Sequence, residues 1–247
     1  MSNEITPREL ADQTLASLEQ LADPNSARRF QRFFKPHETV HVYGIKTPKI
    51  REVERTLYGK VKKAWSYVEA LEFCNLLIAQ KFHEGKIVAI LLLSRWQESF
   101  ETSLLNRVEG WLTNGDCSNW AAIDALSLSI VAPLIERFPE LVSQICSWAS
   151  SDNMWKRRVA LVSFVSLVRK GECLDVAYQL SEQLFDDRED LIHKATGWLL
   201  REAGKTDSNR LERYILKHGS KMPRTALRYA IEKFPKERHQ ELLMKTR

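Results

Sequence analysis

The sequence predicts an all-α fold in which helix pairs stack side by side into a curved solenoid. Three observations predict it. Glycine and proline are scarce, nine and eight in 247 residues, and they fall mostly between apolar-periodic stretches. Nowhere does a run of period-two alternation, bounded by turn residues, suggest a strand. A pattern also returns every 36 residues, at Lys86-Ile87-Val88-Ala89-Ile90, Ala122-Ile123-Asp124-Ala125-Leu126, Arg158-Val159-Ala160-Leu161-Val162 and Lys194-Ala195-Thr196-Gly197-Trp198. A helix pair with its two turns needs about that length, and such pairs bury one face against their neighbours.

The elements follow along the chain as roughly a dozen helices of about 10 to 18 residues joined by short loops. Asn25-Ser26 reads as an N-cap. Thr47-Pro48 opens a helix continued by Lys49-Ile50-Arg51-Glu52-Val53, since proline suits the first helical turn. Ser151-Asp152 and Asp207-Ser208 read as further N-caps, and Met222-Pro223 begins another helix. Gly110, Gly171, Gly204 and Gly219 stand where helices should end. No low-complexity stretch or long linker divides residues 1–247, so one domain is expected.

Composition narrows the function. Hydrophobic residues make up 44% of the chain, enough for a sizeable core, and the formal net charge is +5. That charge favours an anionic partner such as nucleic acid, modestly, because 28% charged residues is also ordinary solubility. Cys74, Cys117, Cys146 and Cys173 form no C-x-x-C pair, so neither a zinc site nor a disulfide framework is expected. His37 and His41 share helical spacing but lie in a proline-containing stretch unsuited to a metal. The N-terminal residues lack the pattern of a secretory leader, and the longest apolar run, Ile87 to Leu93, is too short to span a bilayer. A cytoplasmic protein, at most nucleoid-associated, is expected, with no membrane partner, metal or cofactor. Phosphate-binding loops and hydrolase motifs are absent.

The chemistry concentrates in a few motifs. Trp120 and Asp124 are four residues apart and project from one helix face. In the repeat register Asp124 takes a column otherwise holding Val88, Ala160 and Thr196. An acid there breaks the local pattern, as functional residues tend to do. The first column reads Lys86, Ala122, Arg158, Lys194 and is expected to form a basic stripe along the stack. Lys194, Trp198 and Arg201 share a face, placing an aromatic plate between two candidate phosphate-binding cations. Lys156, Arg157 and Arg158 span most of a helix circumference, so at least one must point inward, and Arg158 is the choice. Arg224 and Arg228 make a second candidate phosphate clamp, and Lys46 and Lys49 lie in a further basic region. Trp65, Trp96, Trp111 and Trp148 read as core residues.

These motifs resemble the DNA alkylation repair family of HEAT-like repeat DNA glycosylases, the AlkD type. The match lies in Trp120-x-x-x-Asp124, Trp155-Lys156-Arg157-Arg158, Lys194-Ala195-x-Gly197-Trp198-x-Leu200-Arg201-Glu202 and Met222-Pro223-Arg224-Thr225-Ala226-Leu227-Arg228-Tyr229, with Tyr43-Gly44-Ile45-Lys46-Thr47-Pro48 upstream. In order and rough spacing it covers about residues 5 to 240. The sequence departs from the family pattern at Asn119, Ala121 and Ala122, where a further aromatic or acidic residue is usual.

The resemblance implies a HEAT-like superhelix with a concave basic groove, acting as a monomer on duplex DNA. It implies hydrolytic release of cationic N3- and N7-alkylpurines without metal or cofactor, and without taking the base into a pocket. By position, Asp124 is then the catalytic carboxylate, and Trp120 and Trp198 pack against the damaged nucleotide's sugar and phosphates. Arg158 and Arg201 become groove cations that favour the ionised form of Asp124. Two other readings remain at this stage. One is a helical-repeat protein that grips damaged or branched DNA without chemistry, the other a peptide-binding scaffold.

Overall fold

A computed structural model of the chain describes residues 5–34 and 40–247. His37 lies outside these residues. The described residues are helical throughout, with no strand among them and a single isolated bridge between His41 and Phe82. They form two compact units, Met1–Ile130 and Val131–Arg247.

Among the described residues the first unit carries seven α-helices: α1 (Pro7–Gln20), α2 (Pro24–Gln31), α3 (Thr47–Val61), α4 (Tyr67–Ile78), α5 (His83–Leu93), α6 (Leu104–Thr113) and α7 (Trp120–Leu126). Their starts follow cap chemistry. Thr6 and Glu9 form a reciprocal capping box on α1, and Ser66 and Glu69 form another on α4. Asp23, not Asn25 or Ser26, caps α2, its carboxylate accepting the N–H groups of both those residues. Pro48 lies in the first turn of α3, as its sequence predicts. The central helix α5 is buried along nearly its whole length and packs against α3, α4 and α7.

The second unit carries α8 (Ala132–Arg137), α9 (Val142–Ser147), α10 (Met154–Val162), α11 (Val165–Arg169), α12 (Leu174–Gln183), α13 (Asp190–Thr206), α14 (Ser208–His218), α15 (Arg224–Ala230) and α16 (Lys236–Lys245). Helix α13 is its spine, meeting α10, α11, α12, α14 and α15. Several helices are shorter than the sequence pattern suggests. Pro133 and Pro139 break one stretch, and 3-10 turns at Pro139–Leu141 and Trp148–Ser150 interrupt another. Asp207 caps α14 as expected. Asn153 caps α10 in place of Ser151 or Asp152, its side chain accepting the Trp155 N–H.

Two of the four glycines expected at helix ends do other work. Gly171 has φ +83° just after α11, and Gly219 is the C-cap of α14. Gly110 is inside α6. Gly204 is inside α13, where a Cβ would come 2.2 Å from a Leu211 methyl. Gly197 is a similar close-approach position, with α15 against the α13 backbone. A Cβ there would stand 2.4 Å from the Tyr229 Cβ and 2.5 Å from the Ala226 carbonyl oxygen.

The 36-residue register is visible within each unit, because α5 packs on α7 and α10 packs on α13. Its first column is not an exposed basic stripe. Lys86 is 8% exposed, Ala122 0% and Arg158 5%. Lys86 folds its ammonium onto the last carbonyl of α4, Nζ to Ile78 O at 2.5 Å, and burial lowers its pKa. Of the tryptophans expected in the core, Trp65, Trp111 and Trp148 are buried, while Trp96 stays half-exposed, edge-on to Tyr58. Among the described residues no helix is long and apolar enough to cross a membrane.

Gly197→Ala should overpack the α13–α15 contact and destabilise the fold by about 1–3 kcal/mol. Urea unfolding should show a lower midpoint with an unchanged slope.

Candidate functional site

Helix α7 runs on into the π-helical turn Ser127–Val131, and its seven residues are further held by an N-cap and a buried face. Asn119 is buried and caps it, Oδ1 accepting the Ala122 N–H at 3.0 Å. Ala122, Ile123 and Leu126 are fully buried on the side that faces α5. Trp120 and Asp124 lie on another face, and both are half-buried. The Trp120 ring stacks on Phe34 with centroids 5.8 Å apart, and Phe34 in turn meets Phe30 at 5.3 Å. In the repeat register the counterparts of Asp124 are core residues: Val88 and Ala160 are 0% exposed and Thr196 1%. Asp124 thus places a partly solvated carboxylate where the other repeats place packing. After α7 the chain widens into a π-helical turn, Ser127–Val131, a feature frequent at functional sites.

The turn Tyr43-Gly44-Ile45 is built around a buried acid. Glu84, 2% exposed, accepts three successive backbone N–H groups: Tyr43 at 2.9 Å, Gly44 at 2.8 Å and Ile45 at 3.1 Å. Gly44 has φ +84°, and a Cβ there would lie 2.3 Å from the Asp23 carbonyl oxygen at the start of α2. Only glycine meets both constraints. The turn delivers exposed Lys46 to the start of α3. Lys49, one turn on, pairs with Glu52 at 2.7 Å, both ends open to water.

In the second unit Trp198 is half-buried on α13. Both cations on its face have carboxylate partners. Lys194 pairs with Asp190 at 2.8 Å, and Arg201 pairs with Glu202 at 3.3 Å and with Glu232. Arg157 is tied up more fully: its guanidinium meets Asp187 at 2.6 Å and donates to the Ser151 and Asp152 carbonyls at 2.8 and 3.0 Å. It staples the loop before α10. Arg158 donates to the Leu191 carbonyl at 2.5 Å. Lys156 is half-buried. Arg224 donates to the Thr246 carbonyl at 3.1 Å, while Arg228, one turn later on α15, is exposed.

Residues 14–234 match the family described as DNA alkylation repair enzyme. The chain belongs to that family. Its structure is also similar to one described as a predicted DNA alkylation repair enzyme from Enterococcus faecalis. The TM-score is 0.74 at 19% identity, covering 87% of this chain and 97% of the other. At that identity the likeness concerns the fold. No curated protein matches the chain.

Two features of this alkylation-repair family member escape sequence reasoning. The aromatic group of Phe30, Phe34 and Trp120 joins residues far apart in the chain, although the interleaved run Arg28-Arg29-Phe30-Gln31-Arg32-Phe33-Phe34 was a usable signal. Glu202, 1% exposed, is the second. It binds Arg169 and Lys205 at 2.7 Å each, with Arg201 at 3.3 Å. Burial alone would raise its pKa, but hydrogen bonds from Arg169 and Lys205, and their charges, hold it down at about 2.

A carboxylate whose folded pKa is depressed stabilises the fold above its unfolded pKa and loses that contribution as pH falls toward the folded one. For Glu202 the window runs from 4.5 down to about 2. Glu202→Gln should destabilise the protein by about 3 kcal/mol at neutral pH. It should also flatten the acid limb of a stability–pH curve in that window, as thermal unfolding at stepped pH would reveal.

Proposed function

We propose that this family member is a DNA glycosylase that hydrolyses the N-glycosidic bond of cationic N3- and N7-alkylpurines in duplex DNA, as a step of base excision repair. The observation that carries the reading is the Trp120–Asp124 face of α7: an aromatic plate and a partly solvated carboxylate one helical turn apart. It stands at a repeat position that is core elsewhere. Membership of a DNA alkylation repair family supplies the substrate class.

The chemistry suits those groups. An alkylated purine already carries positive charge and is a good leaving group. As it departs, the sugar gains oxocarbenium character, as in glycoside hydrolysis. An ionised Asp124 facing that sugar stabilises the developing charge and orients the attacking water, and the Trp120 face adds cation–π attraction. One oriented charge of this kind is worth about 3 kcal/mol, or ~10² in rate. In this reading the protein holds the sugar and phosphates of the damaged nucleotide and takes no base into a catalytic pocket, unlike base-flipping glycosylases. Trp198, in the second unit, is proposed as a further contact to DNA. Lys46, Lys49, Lys194, Arg224 and Arg228 carry exposed or partly exposed charge suited to phosphates. Arg158, Arg201 and Lys156 are assigned to the same electrostatic field, acting from less exposed positions. The protein needs no metal or cofactor for this reaction and works as a monomer.

Asp124→Asn should lower excision of 7-methylguanine from methylated duplex DNA by about 10²-fold. Affinity for the same DNA, read by fluorescence anisotropy, should be largely retained. Loss of binding together with activity would count against a catalytic role for Asp124. Binding by the wild type with no excision would favour a non-catalytic protein that grips damaged or branched DNA.

A further inference from the structure

Phe33 is 71% exposed, the most exposed large hydrophobic side chain among the described residues, and packing does not account for it. It stands edge-on to Phe30 with centroids 6.3 Å apart, and Phe30 stacks on His83 at 5.6 Å with 27° between the rings. The three rings line one cleft of about 350 Å³ in the first unit. Arg29 and Lys46, both exposed, also line it. Among the described residues the one acid in its wall, Glu84, is turned onto the backbone N–H groups of Tyr43, Gly44 and Ile45. His83 is 7% exposed, yet its Nδ1 has no hydrogen-bond partner among the described residues. Such a buried polar atom is costly unless something pairs with it.

We infer that this cleft seats an unpaired nucleobase of DNA. Aromatic faces stack on any base, cations at the rim meet the phosphates on either side, and a ring nitrogen can reach a base edge. Burial, with Lys86 nearby, lowers the His83 pKa to about 4, so the imidazole is neutral at neutral pH and Nδ1 can pair as donor or acceptor according to tautomer. The inference rests on the DNA reading above and adds a seat for a base other than the one excised. Phe33 is a positioning residue for that base.

The test uses the full chain and two duplexes, one fully paired and one with a single bulged 2-aminopurine. The wild type should bind the bulged duplex about tenfold more tightly. The 2-aminopurine fluorescence should fall as the base stacks on the rings. Phe33→Ala, at an exposed position, should lose both the preference and the quenching, and Phe33→Trp should keep them. Affinity for the paired duplex and excision of 7-methylguanine should be unchanged in Phe33→Ala. Equal binding of the two duplexes by the wild type, or quenching that survives Phe33→Ala, would overturn the cleft assignment alone. Failure to bind either duplex would overturn the DNA reading with it.

Discussion

Helix α7 can present Trp120 and Asp124 only because its other side is anchored on α5. The α-helical part is seven residues and runs on into the π-helical turn Ser127–Val131. Here the Asn119 side chain fixes the first turn, and Ala122, Ile123 and Leu126 bury the rear face completely. The cap and the buried rear face hold α7, and with it the side on which Asp124 stands. The proposed electrostatic catalysis requires a charge held in place before the reaction begins. The stack of Trp120 on Phe34 adds a lateral brace.

Charge in this protein divides into two kinds. Some ionic groups are buried and serve the backbone. Glu84 gathers three amides of the Tyr43–Ile45 turn, Lys86 closes the end of α4, and Arg157 ties two carbonyls to Asp187. Removing one partner from such a group leaves an uncompensated buried charge and costs several kcal/mol. Others, including Lys46 and Arg228, are exposed and free to exchange water for phosphate. Counting lysines and arginines in the sequence cannot separate the two kinds.

What the sequence made legible follows the range of the interactions. Helical class, the Asp207 cap, the proline at the start of α3 and the 36-residue register rest on local chemistry, and each is present. The α10 cap is Asn153, one of three adjacent residues, Ser151, Asp152 and Asn153, whose side chains can all cap a helix. The supposed basic stripe failed for a related reason. A repeat period fixes which residues are equivalent, but not which way that column faces. Lys86 and Arg158 have stems long enough to lie in the stack and end on carbonyl oxygens. Of the candidate site, the Trp120–Asp124 spacing was legible because it lies within two helical turns. The Phe34 contact to Trp120 and the Glu84 clamp span tens of residues and leave no periodic trace.

Identification of the small-molecule product tests the central claim most directly. Duplex DNA methylated at guanine N7 and adenine N3 is incubated with the protein, and the released fraction is resolved by mass spectrometry. The account predicts free 7-methylguanine and 3-methyladenine, with abasic sites appearing in the DNA in matching number. Loss of the methyl groups with the bases still attached and no abasic sites, or methylated DNA left intact while bound, would contradict it.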